Sequence, residues 1–182
     1  VYVYVGVGPS CPDGWVLVDD KCVGVQGRGS HNSCQAQCEA VGGNLLCMQS
    51  ATQQAEVAEQ FVDDAACCYF DDAGGNQDCC SHFGLYQDPT ADSGSSGDPQ
   101  AGWQWEAQCN SDYTNWADGE PNQYAGYEED CAVFGFMGQG NWVDVPCDGN
   151  LQCLCEVPTS TSSTVGPGVC GHNLQHTLPF IL

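Results

Sequence analysis

The chain has 182 residues, 42% of them apolar, and carries 24 acidic side chains against Lys21 and Arg28 alone, for a net charge of −22. That length fits one domain with extensions and is enough to bury a core. That charge argues against nucleic acid, anionic lipid and polyanionic sugars as partners.

In chain order, Val1–Val7 alternates Val with Tyr and then Gly, which is strand spacing, and Gly8-Pro9 breaks it. Trp15–Val18 reads as a second strand. Ser30–Val41 reads as a short helix ended by Gly42-Gly43. Ser50 with Gln53 makes a capping box for a second helix. In that helix Val57, Ala58, Phe61, Val62 and Ala65 recur at helical spacing and are expected to face the core. Residues 71–100 hold most of the loop signals. Strands return at Trp103–Glu106, Ala132–Phe136, Trp142–Val145 and Gln152–Val157. Thr159–Thr164 reads as a Ser/Thr linker, followed by an apolar tail at Leu178–Leu182. The tryptophans 103, 105, 116 and 142 are expected in the core rather than as sugar platforms.

Fifteen cysteines are a disulfide load, so an oxidising, extracellular setting is expected, and the chain as given begins with Val, consistent with a removed secretion signal. A cytosolic zinc protein is the alternative, but the Cys and His positions repeat no zinc-type CxxC pattern. His172 and His176 are read as a solvated pair. No apolar run approaches the ~20 residues of a membrane span, and no Asn-x-Ser/Thr sequon is present. Gly-x-Ser-x-Gly, His-Glu-x-x-His and phosphate-cradling glycine loops are absent, so no enzyme is expected.

The chemistry concentrates at Asn115-Trp-Ala-Asp-Gly-Glu-Pro-Asn122, Glu129-Asp-Cys131 and Trp142-Val-Asp-Val-Pro-Cys147. Carboxylates and an amide surround a proline, and cysteines close the loop. A calcium ion takes such oxygen ligands at about 2.3–2.6 Å. These residues resemble the sugar-binding loop of C-type lectins, where Glu-Pro-Asn marks the mannose type. Further landmarks follow in order: Cys11-Pro-Asp-Gly-Trp15 to Cys22, Ala36-Gln-Cys38 to Leu45, Phe83-Gly-Leu85, Gly102-Trp-Gln-Trp105, Tyr113-Thr-Asn-Trp116 and Cys155-Glu156.

The resemblance implies an α+β C-type lectin-like fold: two helices flanking small antiparallel sheets, with a long disulfide-stapled ligand loop. It places that domain at 11–158, between an N-terminal strand extension at 1–10 and a linker and tail at 159–182. It implies the bridges Cys11–Cys22, Cys38–Cys155 and Cys131–Cys147. Nine cysteines remain, an odd number: Cys34, Cys47, Cys67, Cys68, Cys79, Cys80, Cys109, Cys153 and Cys170. Bridges between Cys67-Cys68 and Cys79-Cys80 would pin an acidic loop, but their pairing stays open.

By the same resemblance Glu120, Asn122, Glu129 and Asp144 are Ca2+ ligands. Glu120, Asn122 and Glu129 also meet the sugar, and the proline peptide is cis. One position departs: Val143 stands where the family has asparagine, which removes one ligand and one sugar contact. Asn141 would need a register shift to replace it. Gln123 stands where an aspartate is usual, which weakens the expectation of a second calcium site. The function implied is secreted, calcium-dependent glycan binding of mannose type. The rival is a structural protein that uses the fold as a stapled block and self-associates through Val1–Val7 and the C-terminal tail.

Overall fold

The computed structural model describes residues 8–62, 80–88, 99–106, 109–124, 127–136 and 140–160. The expectations for the Val1–Val7 strand, the apolar tail, His172 and His176, Ala65, and Cys67, Cys68, Cys79 and Cys170 lie outside these residues.

Strand β1 (Val16–Val18) pairs antiparallel with β2 (Lys21–Gly29). β2 continues onto β8 (Leu151–Pro158). Trp15 lies against Gly24, where a Cβ would come within 2.6 Å of the indole. A side chain there would displace the ring, so the close approach requires glycine.

Helix α1 (His31–Ala40) follows. The Ser30 side chain caps it by accepting the Ser33 N–H, and it ends at Val41, as the Gly42-Gly43 signal implied. The short β3 (Asn44–Leu45) pairs with β8. Helix α2 (Ala51–Phe61) is capped by Ser50, which accepts the Gln53 N–H at 3.1 Å. The other half of the expected capping box is displaced. Gln53 Oε1 accepts from Gln49 N at 2.6 Å, one residue before the cap, and its amide donates to Cys47 O at 3.2 Å. Val57 is buried, and Ala58, Phe61 and Val62 pack on the core, as their spacing predicts.

β4 (Ser81–Gln87) is the central strand. It pairs antiparallel with β5 (Trp103–Trp105) and β6 (Cys131–Phe136), and parallel with β8. β7 (Asn141–Val145) completes the order β1-β2-β8-β4-β6-β7. Among the described residues the α+β architecture has the two expected helices, with one difference. The parallel β4–β8 pairing joins the strands into one mixed sheet rather than separate antiparallel ones.

The main core gathers Val18, Val23, Leu46, Met48, Val57, Phe83, Leu85, Phe134, Trp142 and Leu154. Trp142 is its centre: Phe83, Trp105, Tyr113 and Trp116 all pack their rings against it. Aromatic rings in such tilted and edge-on pairs gain beyond their buried area.

Five disulfides join pairs of the described cysteines: Cys11–Cys22, Cys34–Cys153, Cys38–Cys155, Cys47–Cys109 and Cys131–Cys147. Cys80 is disulfide-bonded too. Two of the five span more than a hundred residues, with separations of 119 and 117, where closing the loop in the unfolded chain contributes most. Among the described residues no helix is long and apolar enough to cross a membrane.

Candidate functional site

Strand β7 positions the site. Trp142 N donates to Asn115 O at 3.0 Å, and its carbonyl accepts from Ala117 N at 2.8 Å. That pairing carries the segment 115–117 along β7 and releases the chain at Asp118-Gly119. Gly119 has φ +90°, a left-handed turn conformation with open space around it. Glu120 N then donates to Ala117 O at 3.0 Å. The Glu120–Pro121 peptide is cis. Pro121 is buried and Asn122 exposed.

Asp144 lies under the loop, 5% exposed. Its two oxygens accept from Asn122 N at 3.0 and 2.9 Å and from Gln123 N at 2.8 Å. Glu129 approaches from the far limb, accepting from Tyr124 N at 2.5 Å. The Cys131–Cys147 bridge joins that limb to the chain just after β7.

Glu120, Glu129 and Asp144 are thus brought close enough to act on one another. Burial, then the hydrogen-bonded Asp144 and the charges of Asp144 and Glu129, push the Glu120 carboxyl up to about 8, against an opposing hydrogen bond with Asn122. Burial, with Asp144 adding, pushes Glu129 up to about 7, against the Tyr124 N–H. Like charges that share a half-buried site resist ionising together.

The donor set is all oxygen: three carboxylates and one amide. That chemistry fits a hard divalent cation. The fit has a gap. Among the described residues no three His, Cys, Asp or Glu side chains stand ready as a cation cage. Asp144 spends its oxygens on backbone amides. Val143 is 3% exposed and packs with Ala117, Val133, Val145 and Leu151, so it offers neither an oxygen nor a route to the loop. Asn141 Oδ1 accepts from Asn115 Nδ2 at 3.2 Å, so its side chain is tied to the 115–117 segment.

Three neighbours carry no motif in the sequence. Tyr124 and Tyr127 are 69% and 65% exposed, between Asn122 and Glu129 in the chain. Large exposed aromatics beside convergent polar groups are a recognition feature. Their only sequence signal was proximity to Asn122 and Glu129. Gln87 on β4 is 1% exposed and reaches the same loop through Gln123.

The folded arrangement identifies the architecture. The fold is that of the C-type lectins. A calcium-independent type II antifreeze protein superimposes with a TM-score of 0.62 at 19% identity, over 85% of this chain and 98% of that one. The cow carbohydrate-recognition domain of CD23, solved in the presence of a GlcNAc2Man3 oligosaccharide, gives 0.61 at 24% identity, over 84% and 99%. In sequence, C-type lectin domain family 4 member A of Rattus norvegicus is 27% identical over 156 residues, covering 81% of this chain. The chain spans about half, 54%, of that relative's length. No family model matches the chain.

Proposed function

We propose that this C-type lectin-fold chain is a secreted, calcium-dependent carbohydrate-binding protein with a mannose-type preference, and that it binds rather than catalyses. The charges of Asp144 and Glu129 both act on the half-buried Glu120, whose carboxyl is pushed up to about 8 by burial and those neighbours. That observation carries the reading, because a chain of net charge −22 gains by placing a cation there.

Glu120, Asn122, Glu129 and Asp144 would hold the ion. Calcium supplies a hard, doubly charged centre that takes carboxylate and hydroxyl oxygens together. Glu120 and Glu129 accept hydrogen bonds from sugar hydroxyls, and the Asn122 amide donates one. Pro121 keeps the side chains of its two neighbours on a common loop. Tyr124 and Tyr127 offer apolar faces at the rim for the sugar ring. The structure of cow CD23 solved with an oligosaccharide supports such a use of the fold.

A glycan array run in calcium and again in chelator tests the reading. Mannose-type spots that vanish in chelator are expected. A blank array under both conditions overturns it.

Two observations favour a second reading, in which the fold serves as a stapled block of an extracellular assembly without sugar. Val143 fills the expected ligand position with an apolar side chain, and Asp144 is already satisfied by backbone amides. That reading expects the blank array together with concentration-dependent association in sedimentation.

A further inference from the structure

The Glu120–Gln123 loop is gripped by amides as well as by Asp144. Gln100 Nε2 donates to Pro121 O at 2.7 Å. Gln123 Nε2 donates to Gln87 Oε1 at 3.4 Å, the longest of these contacts. Gln87 Nε2 donates in turn to Ala101 O. The Gln87 backbone N–H donates to Asp130 O at 2.7 Å, next to Glu129. One buried residue therefore touches both limbs of the loop and the 99–101 segment that lies along it. That segment has its own anchor, because Trp103 Nε1 donates to Pro99 O at 2.8 Å.

We propose that Gln87, with Gln100 and Gln123, forms a cation-independent clamp that holds the Glu120–Gln123 loop in its binding shape, Gln87 being the positioning residue. Its role in binding rests on the calcium reading above; its effect on the loop does not.

Amide chemistry suits the task for three reasons. A carboxamide donates and accepts at once, so Gln87 can link Gln123 and Ala101 O through one side chain, which a carboxylate cannot do. It is neutral, so it adds nothing to the repulsion among Glu120, Glu129 and Asp144. It does not titrate, so the clamp persists where those carboxyls change charge.

The loop also needs holding. Gln123 has φ 49°, in the left-handed region that a side-chain-bearing residue occupies only when its surroundings fix it. A loop ordered before the ligand arrives spares binding the cost of ordering it.

Hydrogen exchange of the Asn122 and Gln123 amides in chelator tests the clamp. In the wild-type protein both amides should stay protected without calcium. Gln87→Met keeps the length and apolar stem but removes the amide, and both amides should then exchange at least ~10-fold faster. Amides of Ala132 and Trp142 should keep their rates, which separates loop opening from general loosening. Gln100→Ala, at an exposed position, should act the same way on a smaller scale. Calcium affinity should fall several-fold in both variants. If calcium never binds but the loop amides still respond to the variants, the clamp stands and the calcium reading falls. If wild-type amides exchange freely in chelator, or if neither variant changes their rates, the clamp is wrong.

Discussion

Asp144 accepts the backbone N–H of Asn122 with both carboxylate oxygens, at 3.0 and 2.9 Å. A buried side chain on β7 thereby fixes the backbone of an exposed loop residue. Asp144→Asn keeps the shape but puts an N–H where an acceptor was. The asparagine keeps one acceptor oxygen, so one of the two loop amides loses its partner and the other loses a charged one, at a cost of about 1–3 kcal/mol. A urea melt checks this, and an unchanged midpoint would show that the loop does not depend on Asp144.

Calcium is expected to stabilise the protein. Binding to the folded state alone shifts the unfolding equilibrium, by about 2.7 kcal/mol at a hundredfold excess over Kd. Melting curves with millimolar calcium and with chelator measure it. Glu120→Ala should abolish the difference, since it removes one of three carboxylates. Superimposable wild-type curves would count against the ion.

Val143→Asn has an expected outcome that the structure reverses from the motif's suggestion. The motif alone suggests that asparagine would restore a missing ligand. The side chain, however, lies among Val133, Val145, Ala117 and Leu151. An amide there is buried without a partner, at a cost of about 1–3 kcal/mol. The variant should melt lower in chelator and bind calcium no more tightly. Tighter calcium binding by titration calorimetry would mean that the side chain swings toward the loop.

The buried histidines predict acid sensitivity away from the ligand loop. His82 is fully buried, and its Nε2–H donates to Gly149 O at 3.1 Å. His31 lies across from it with ring centroids 5.6 Å apart, and its Nε2–H donates to Phe83 O. Glu106 faces His31 at 3.8 Å, and Tyr86 packs beside it. Burial drives His82 down to about 4, with its Gly149 bond opposing and His31 adding, and burial lowers His31 as well.

A lowered base is neutral in the fold while the unfolded chain protonates below about 6.5. The contribution of His82 is therefore full above pH 6.5 and is lost as pH falls toward about 4, by roughly 3 kcal/mol. Urea melts of wild type and His82→Gln at pH 7 and 4.5 isolate it from the many carboxylates. Wild type should lose stability relative to the variant on acidification. A constant difference would remove His82 from the account.

The sequence made some elements legible and hid others for physical reasons. Both helices could be read from Ser30, Ser50 and the glycines at 42 and 43, because caps are local chemistry. β2 was hidden. Gly24, Gly27 and Gly29 interrupt its pattern, and a bulge between Val25 and Arg28 breaks the alternation. β4 was hidden for the opposite reason: nearly every residue from Ser81 to Gln87 is buried, so no polar face marks its period.

At the site, Glu120, Asn122, Glu129 and Asp144 could be named from a motif, and the structure brings three of them into mutual electrostatic reach. The direction of Val143 and the reach of Gln87 depend on packing between distant segments, which no local pattern encodes.

The two bridges between α1 and β8 carry a consequence for assembly of the chain. Cys34 joins Cys153 and Cys38 joins Cys155. Four residues of helix advance about 6 Å. Two residues of strand advance about 6.6 Å. The rungs match, so the pair closes like a zip only when helix and strand lie side by side. Which sulfur meets which records orientation: a helix docked head-to-tail would present the same spacing but join Cys34 to Cys155 and Cys38 to Cys153. The covalent pattern therefore records the direction in which the helix lies along the strand. A peptide digest of material refolded from the reduced chain would read from its disulfide pairs whether the helix had docked in that direction or the reverse.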